Sequence, residues 1–178
     1  MSIPRPAPPM LLVAAITTSP EVPFREVTGV LEAEWGPVSD EGPLYDFDSS
    51  THYYAQEMGT GLHKRIVAFS RPVDPERLPD IKLVSNGMEA RWQTADGKRR
   101  ANIDPGYLCP LNLVLASGKA ATYRIYLRDG IYAEITLRYE HGSYVPLNTT
   151  YPDYRLPENI AFLNGLRPRA LEVGRSTR

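Results

Sequence analysis

The stretch Met10-Leu-Leu-Val-Ala-Ala-Ile-Thr17 is an unbroken apolar run that follows four prolines and stops before Ser19-Pro20. A run without alternation of apolar and polar residues is typical of a strand buried on both faces. It is far shorter than the roughly 20 apolar residues needed to span a bilayer. We therefore expect a central strand of a sheet here, preceded by a flexible lead over residues 1–9.

Downstream of this run, apolar residues recur at spacings of three and four between Pro23 and Gly36, which predicts an amphipathic helix packed on the sheet. Strands are predicted over residues 44–48 and 64–70. Residues 49–61 form either a short helix or a structured loop, and residues 110–115 form either a helical turn or a strand.

A second helical pattern begins at Asp74-Pro75-Glu76 and ends before Asp96-Gly97. Pro79 and the Asn86-Gly87 pair count against one unbroken helix, and Asn-Gly leaves a hairpin open as the alternative. The residues expected on the apolar side of this helix are Ile81, Val84, Met88 and Trp92.

The C-terminal third alternates apolar and polar residues over two strands joined at Asp129-Gly130. A three-residue loop with a bulge would pair Ile125 with Ala133 and place Arg124 opposite Glu134 on the outer face. The same count over residues 140–142 predicts a third strand that pairs Tyr139 with Ser143. A last helix then begins at Pro157 and ends at Pro168, which leaves residues 168–178 as a flexible tail.

This order of elements predicts a single α+β domain over residues 10–167. Its sheet is mixed or antiparallel, with a ferredoxin-like βαββαβ first half and an appended three-stranded C-terminal meander plus a terminal helix. A length of 178 residues fits one domain with a substantial core. Such folds host many activities, so the fold alone predicts no function.

Composition argues against several classes of partner. The chain has 20 Lys and Arg against 21 Asp and Glu, so no global field draws it to nucleic acid or to an anionic membrane. The single Cys109 cannot form an intramolecular disulfide, and with three scattered histidines it offers no zinc spacing. We expect a cytoplasmic protein with no bound metal, no nucleic-acid partner and no membrane partner.

The stretch Lys98-Arg-Arg-Ala-Asn-Ile-Asp-Pro-Gly-Tyr-Leu108 concentrates polar chemistry. Pro105-Gly106 predicts a type II turn with Asp104 and Tyr107 at its corners. The three cations before it have few acidic neighbours in sequence, whereas Arg124 already has Glu134. The turn Tyr151-Pro-Asp-Tyr-Arg155 repeats the combination of phenol, acid and guanidinium, and the alternative is that both turns are simply solvated.

Known catalytic motifs do not match the chain. Lys119 follows a glycine, but the first glycine and the final Ser/Thr of a phosphate-binding loop are absent, so we reject that motif. No nucleophile elbow, zinc-protease helix or dinucleotide fingerprint occurs. Four carboxylates could supply acid and base chemistry or hold Mg²⁺, although their spacing does not demand it: Asp46, Asp48, Glu57 and Asp104.

Several motifs together resemble the bacterial family catalogued as domain of unknown function 4416. They include Tyr53-Tyr-Ala-Gln-Glu-Met-Gly59, Asn102-Ile-Asp-Pro-Gly-Tyr-Leu108, Gly130-Ile-Tyr-Ala-Glu-Ile-Thr-Leu137 and Thr150-Tyr-Pro-Asp-Tyr-Arg155. The likeness covers residues 10–167 and implies a stand-alone bacterial domain, with no established activity to transfer. Members are sometimes labelled GTP-binding, which the missing phosphate-binding loop does not support.

Two functions follow as hypotheses. The first is a cleft that binds a small anionic ligand, nucleotide-like or phosphorylated, with Asp104 and Glu57 as its catalytic candidates. The second is a non-catalytic protein–protein interaction module with a tyrosine-rich docking face. The first requires that Arg100, Tyr107 and Arg155 converge on one pocket. Its expected ligand-binding residues are Lys98, Arg99, Arg100, Asp104, Tyr107, Tyr53, Tyr54, Tyr151 and Arg155.

Overall fold

A computed structural model describes residues 3–175 of the chain. The helices are α1 (Phe24–Trp35), α2 (Ala55–Met58), α3 (Leu78–Glu89) and α4 (Pro157–Val173), with 3₁₀ turns at Pro75–Arg77, Ala90–Trp92 and Pro152–Arg155. The strands are β1 (Met10–Thr18), β2 (Val38–Glu41), β3 (Tyr45–Asp46), β4 (His63–Val73), β5 (Ala101–Leu108), β6 (Asn112–Ser117), β7 (Ile125–Arg128), β8 (Ile131–Glu140) and β9 (Ser143–Pro146).

The described strands form one antiparallel sheet in the order β2-β4-β1-β5-β6-β8-β7, with β3 paired to β4 and β9 paired to β8. The predicted α+β class with an antiparallel sheet is confirmed. The central position of the first apolar run is also confirmed, because β1 lies between β4 and β5. None of the helices within residues 3–175 has both the length and the apolar character needed to cross a membrane.

The sheet is buried on two faces by different helices. Successive residues of a strand point to opposite faces, so Val13 and Ala15 pack with α4 while Ala14 and Ile16 pack with α1. Met88 and Trp92 add the α3 segment to the second layer. We refer to these as the α4 face and the α1/α3 face.

The predicted type II turn at Asp104–Tyr107 is wrong, because β5 runs straight through these residues. Gly106 does not take a left-handed backbone conformation. A Cβ atom built on it would lie 2.1 Å from the Val114 carbonyl oxygen. Glycine is therefore needed for the close approach of β6, and Pro105 precedes the pairing between the two strands, which begins at Gly106 and Leu115.

The β7–β8 hairpin is partly as predicted. Ile125 pairs with Ala133, but the loop has only two residues, Asp129 (φ 54°) and Gly130 (φ 76°). Leu127 is the extra residue, so the irregularity lies in the strand and outside the turn.

The next hairpin also turns in two residues instead of three, at His141 (φ 50°) and Gly142 (φ 87°). Tyr139 therefore pairs with Tyr144 and not with Ser143. The predicted meander is wrong in its layout as well. Because β6 pairs along one edge of β8, the strands β7 and β9 both pair along the opposite edge. β7 pairs with the first half of β8 and β9 with the second half.

The helix predicted after Asp74 is confirmed, since α3 continues through Asn86-Gly87, and the hairpin alternative is wrong. The inward side of α3 carries Lys82, Ser85 and Glu89, whereas Val84 is exposed.

Pro168 does not end α4, which continues to Val173. Leu166 and Ala170 are buried on either side of the proline, and Arg169 donates to Asp40 and to the Phe69 carbonyl. These tertiary contacts hold the last turns despite the missing backbone donor. The rest of the predicted tail, residues 176–178, lies outside the described residues.

Substituting Gly106→Ala should destabilise the protein by about 3 kcal/mol, because the added methyl group collides with the backbone of β6. Gly87→Ala is the control, since its Cβ meets no atom within 4 Å in α3 and should add about 0.5 to 1 kcal/mol. Urea unfolding followed by circular dichroism measures both. Equal stability of Gly106→Ala and the wild type would contradict the proposed close approach.

Candidate functional site

One end of the α4 face carries polar side chains where the rest of that face is apolar. Lys64, Thr17 and Asn102 form one row across β4, β1 and β5. Asp104 lies in the next row, beside Ala15. Buried polar groups of this kind are costly unless they are paired. Other segments supply partners for Lys64 and Asn102, whereas Thr17 Oγ1 has none among the described residues.

A cavity of about 290 Å³ lies above this polar end of the sheet. Its walls come from β4, α3, β5, β6, the connection after β6, β8, the loop leading into α2 and the turn at residues 151–154. The 47–62 loop is closed at its base by the Phe47 N–H, which donates to the Leu62 carbonyl (2.8 Å). Phe47, Met58 and Leu62 give that loop a small apolar core of its own.

The deepest ion pair joins β4 to the turn before α4. Lys64 Nζ donates to Asp153 Oδ2 (2.7 Å), and the two side chains are only 4% and 2% exposed. The Tyr45 hydroxyl donates to the same oxygen (3.1 Å). The ammonium group also lies over the rings of Phe47 and Tyr154, at 5.0 and 4.8 Å from their centres.

A second ion pair comes from α3 and joins buried Lys82 to the partly exposed carboxylate of Asp104. Lys82 Nζ donates to the Ile103 carbonyl (2.7 Å) and to Asp104 Oδ1 (3.1 Å), at a part of β5 that has no β6 neighbour. Asn102 Nδ2 donates to the other oxygen of Asp104 (2.7 Å). Burial raises the pKa of Asp104, but Lys82 and Lys64 outweigh burial, so the pKa is lowered overall.

The third pair is the predicted one between Arg124 and Glu134, and the contact is confirmed. Arg124 Nε donates to Glu134 Oε2 (2.7 Å), with one Nη donating to the Lys119 carbonyl and the other to the Tyr151 hydroxyl. The pair lines the cavity, so its predicted place on an outer face is wrong. Ile125, across the strand, is exposed instead.

The mouth of the cavity holds the more exposed charges. Arg99 donates to buried Glu89 (3.0 Å), to the Asn102 oxygen (2.9 Å) and to Glu57. Lys119 Nζ donates to the Tyr53 hydroxyl (2.9 Å) and lies 4.0 Å from Glu57. Lys119 and Glu57 are 59% and 47% exposed, so solvent and ligands can reach them.

The two predicted catalytic carboxylates are both held in their charged form. The hydrogen bond from Arg99 lowers the pKa of Glu57, and the pKa of Asp104 is also lowered, so both are held as weakly basic carboxylates. Burial raises the pKa of Tyr54, which remains a neutral phenol. Among residues 3–175, no three or more His, Cys, Asp or Glu side chains are grouped to hold a metal ion.

Comparison with known proteins gives one match. The family model described as a domain of unknown function (DUF4416) matches residues 8–169. The chain belongs to the DUF4416 family. No match was found among curated proteins or among solved structures. The matched range contains every segment that lines the cavity.

In this DUF4416 domain, five of the predicted ligand-binding residues line the cavity together: Tyr53, Tyr54, Arg99, Asp104 and Tyr151. They come from three separate segments of the chain. The two cations beside Arg99 do not join them, since Lys98 lies 3.7 Å from Asp96 at the surface and Arg100 is exposed.

The predicted convergence of Arg100, Tyr107 and Arg155 on one pocket is wrong. Tyr107 is three residues from Asp104 in a continuous strand, so it points to the α1/α3 face. Arg155 donates to the Leu147 and Thr150 carbonyls and closes its own loop. The ligand hypothesis in the form that required these three residues therefore fails, and a ligand proposal for this chain must stand on the different set of residues that lines the cavity.

The sequence analysis of this DUF4416 domain missed the buried lysines. Lys64 continues the every-second-residue pattern of Ile66 and Ala68, and Lys82 lies four residues after buried Leu78 in α3. Extending each apolar pattern by one step would have placed both lysines in the interior. The partner Asp153 has no comparable signal, because it lies in an irregular turn.

Substituting Lys64→Met should cost about 3 to 5 kcal/mol of stability, because it leaves Asp153 charged and buried without its partner. The double substitution Lys64→Met/Asp153→Leu should recover most of this loss. Thermal or urea unfolding measures the difference.

Arg65→Met on the neighbouring position is the control for that experiment. Its partner Glu41 is 49% exposed, so the loss should be about 1 kcal/mol or less. A Lys64→Met variant as stable as Arg65→Met would contradict a buried, structurally required ion pair.

Proposed function

We propose that this DUF4416 domain binds a small anionic ligand, nucleotide-like or phosphorylated, in the cavity above the polar end of the sheet. The observation that carries the proposal is the pair of cations at the mouth, Arg99 and Lys119, whose shared counter-charge Glu57 is half exposed. The lining side chains include five cations, Lys64, Lys82, Arg99, Lys119 and Arg124, and three carboxylates, Asp104, Glu134 and Asp153, while Glu57 and Glu89 pair with Arg99 from outside the lining.

The cations that a ligand can reach lie at the mouth. Lys64, Lys82 and Arg124 each have a carboxylate of the wall as partner. Arg99 is held by buried Glu89 and shares with Lys119 the carboxylate of Glu57, which belongs to α2 and is half exposed. A ligand oxyanion can take the place of this carboxylate between the guanidinium and the ammonium groups.

The other features of the cavity fit a small organic anion. The Tyr53 ring lies within 5.0 Å of Lys119 Nζ at the mouth, and Tyr54 packs edge to face on it, so an aromatic surface adjoins the charges. A volume of about 290 Å³ is at the lower end of the range for small-molecule sites. It suits a mononucleotide or a phosphorylated metabolite better than a dinucleotide.

Two finer structural assignments are part of this proposal. The order β2-β4-β1-β5, with α1 and α3 packed on one face, supports a ferredoxin-like arrangement of the first half. The single cysteine, Cys109, which is free and buried, supports a cytoplasmic location. Both stay predictions.

A second candidate function is docking of a partner protein, and the edge strand β7 favours it. Ile125 and Tyr126 are 68% and 58% exposed, and Leu127 and Ile135 are exposed beside them. The open edge suits an extended segment of the partner that adds one strand to the sheet. Substitutions in the cavity would leave this function intact, which separates it from the first.

A thermal-shift panel of AMP, GMP, ribose 5-phosphate and inorganic phosphate tests the ligand proposal. A compound at 100 times its Kd should add about 2.7 kcal/mol of stability to the wild type. Lys119→Gln should reduce that shift, because it removes a cation from the mouth.

Lys98→Gln is the matched control, since Lys98 has similar exposure and also lies near one carboxylate, but is outside the cavity. Its shift should equal that of the wild type. The proposal fails if no compound raises the Tm, or if both glutamine variants lose the shift equally.

A further inference from the structure

We infer that the ligand is a phosphate monoester of a sugar or nucleoside, bound with its phosphate at the mouth and its uncharged, hydroxyl-bearing body at the floor. This inference rests on the proposed function and adds a ligand class and an orientation. It follows from differences in burial and pairing between the two ends of the cavity.

The charged side chains become less exposed from the mouth of the cavity to its floor. At the mouth, the side chain of Lys119 is 59% exposed and that of Arg99 is 25% exposed. At the floor, the side chains of Lys64, Arg124 and Lys82 are between 4% and 6% exposed. A phosphate group can therefore exchange with water and with Glu57 at the mouth without breaking a buried ion pair.

The floor keeps hydrogen-bonding capacity that the protein leaves unused. Tyr154 lines the cavity, and its hydroxyl, which is sealed from solvent, has no hydrogen-bond partner among the described residues. Lys64 Nζ donates to Asp153, and the rings of Phe47 and Tyr154 face the rest of its ammonium group. A buried polar group without a partner costs free energy, so a ligand oxygen next to the Tyr154 hydroxyl would gain what the empty site loses.

The floor is nevertheless a poor place for a second phosphate. Asp104, Asp153 and Glu134 all line it, and their charges already balance those of Lys64, Lys82 and Arg124. A second dianion would approach three carboxylates with no free cation to offset the repulsion. Hydroxyl groups both donate and accept, so they can bond to these carboxylates and to Tyr154.

Isothermal titration of the full chain at constant ionic strength tests this assignment. The probes are AMP, ribose 5-phosphate, inorganic phosphate and fructose 1,6-bisphosphate. We expect AMP or ribose 5-phosphate to bind at least about tenfold more tightly than inorganic phosphate and the bisphosphate, since only a monoester uses both ends. If AMP binds more tightly, the body of the ligand is a nucleoside. If ribose 5-phosphate binds more tightly, the body is a sugar.

Two variants test which part of the ligand lies at the mouth of the cavity and which part lies at its floor. Tyr154→Phe should weaken the monoester by about three- to tenfold and leave inorganic phosphate unchanged. Lys119→Gln should weaken both. Tyr154→Phe should also keep at least the wild-type Tm, because it removes a hydroxyl without a partner. Tyr126→Phe, an exposed position outside the cavity, is the control and should change none of these values.

The outcomes separate the two proposals. If no probe binds, both the ligand site and its orientation are wrong. If phosphate binds and Lys119→Gln weakens it, the proposed function survives. The orientation is then overturned if the monoesters bind no more tightly than phosphate, if the bisphosphate equals them, or if Tyr154→Phe weakens phosphate as much as the monoester.

Discussion

The buried ion pair between Lys64 and Asp153 is the interaction on which the candidate site depends. It joins two residues that are 89 positions apart, and it draws the turn before α4 down onto the polar end of the sheet. An ammonium group buried against this end of an antiparallel sheet is costly without a counter-charge. Once Asp153 is in place, the Tyr154 ring, the Tyr45 hydroxyl and the Phe47 ring gather around the same pair.

The same requirement for counter-charges shapes the rest of the cavity. Lys82 crosses from α3 to meet Asp104 at a part of β5 that lacks a β6 neighbour, and Arg124 meets Glu134 on the opposite wall. Segments that carry paired charges need polar surroundings, so they do not pack together into an apolar core. This DUF4416 domain thus has a polar cavity as a consequence of how it satisfies its buried charges.

Much of the fold could be predicted because periodic patterns report which face of an element is buried. The run from Met10 to Thr17 specified the central strand, and the alternation around Ile125 and Ala133 specified a pairing that the structure contains. The failures were local. Pro105-Gly106 has the chemistry of a turn, but the tertiary approach of β6 requires glycine there for space.

The site was harder to predict than the fold, because its residues meet only through tertiary contacts. Arg99 and Asp104 were found from their polar setting. Lys64 and Lys82 were missed because isolated lysines in apolar patterns are usually solvated. Arg155 shows the opposite error, since a guanidinium in a polar turn can be used up by the carbonyl groups of its own loop.

The central claim is that an anion binds between Arg99 and Lys119 at the mouth of the cavity. Side-chain nitrogen resonances of ¹⁵N-labelled arginine and lysine, followed by NMR during titration with AMP, test it directly. Binding there predicts that the signals of Arg99 and Lys119 move together and saturate, while those of Arg100 and Lys98 stay in place. Shifts confined to Arg100 and Lys98, or no saturable shift at all, would contradict the claim.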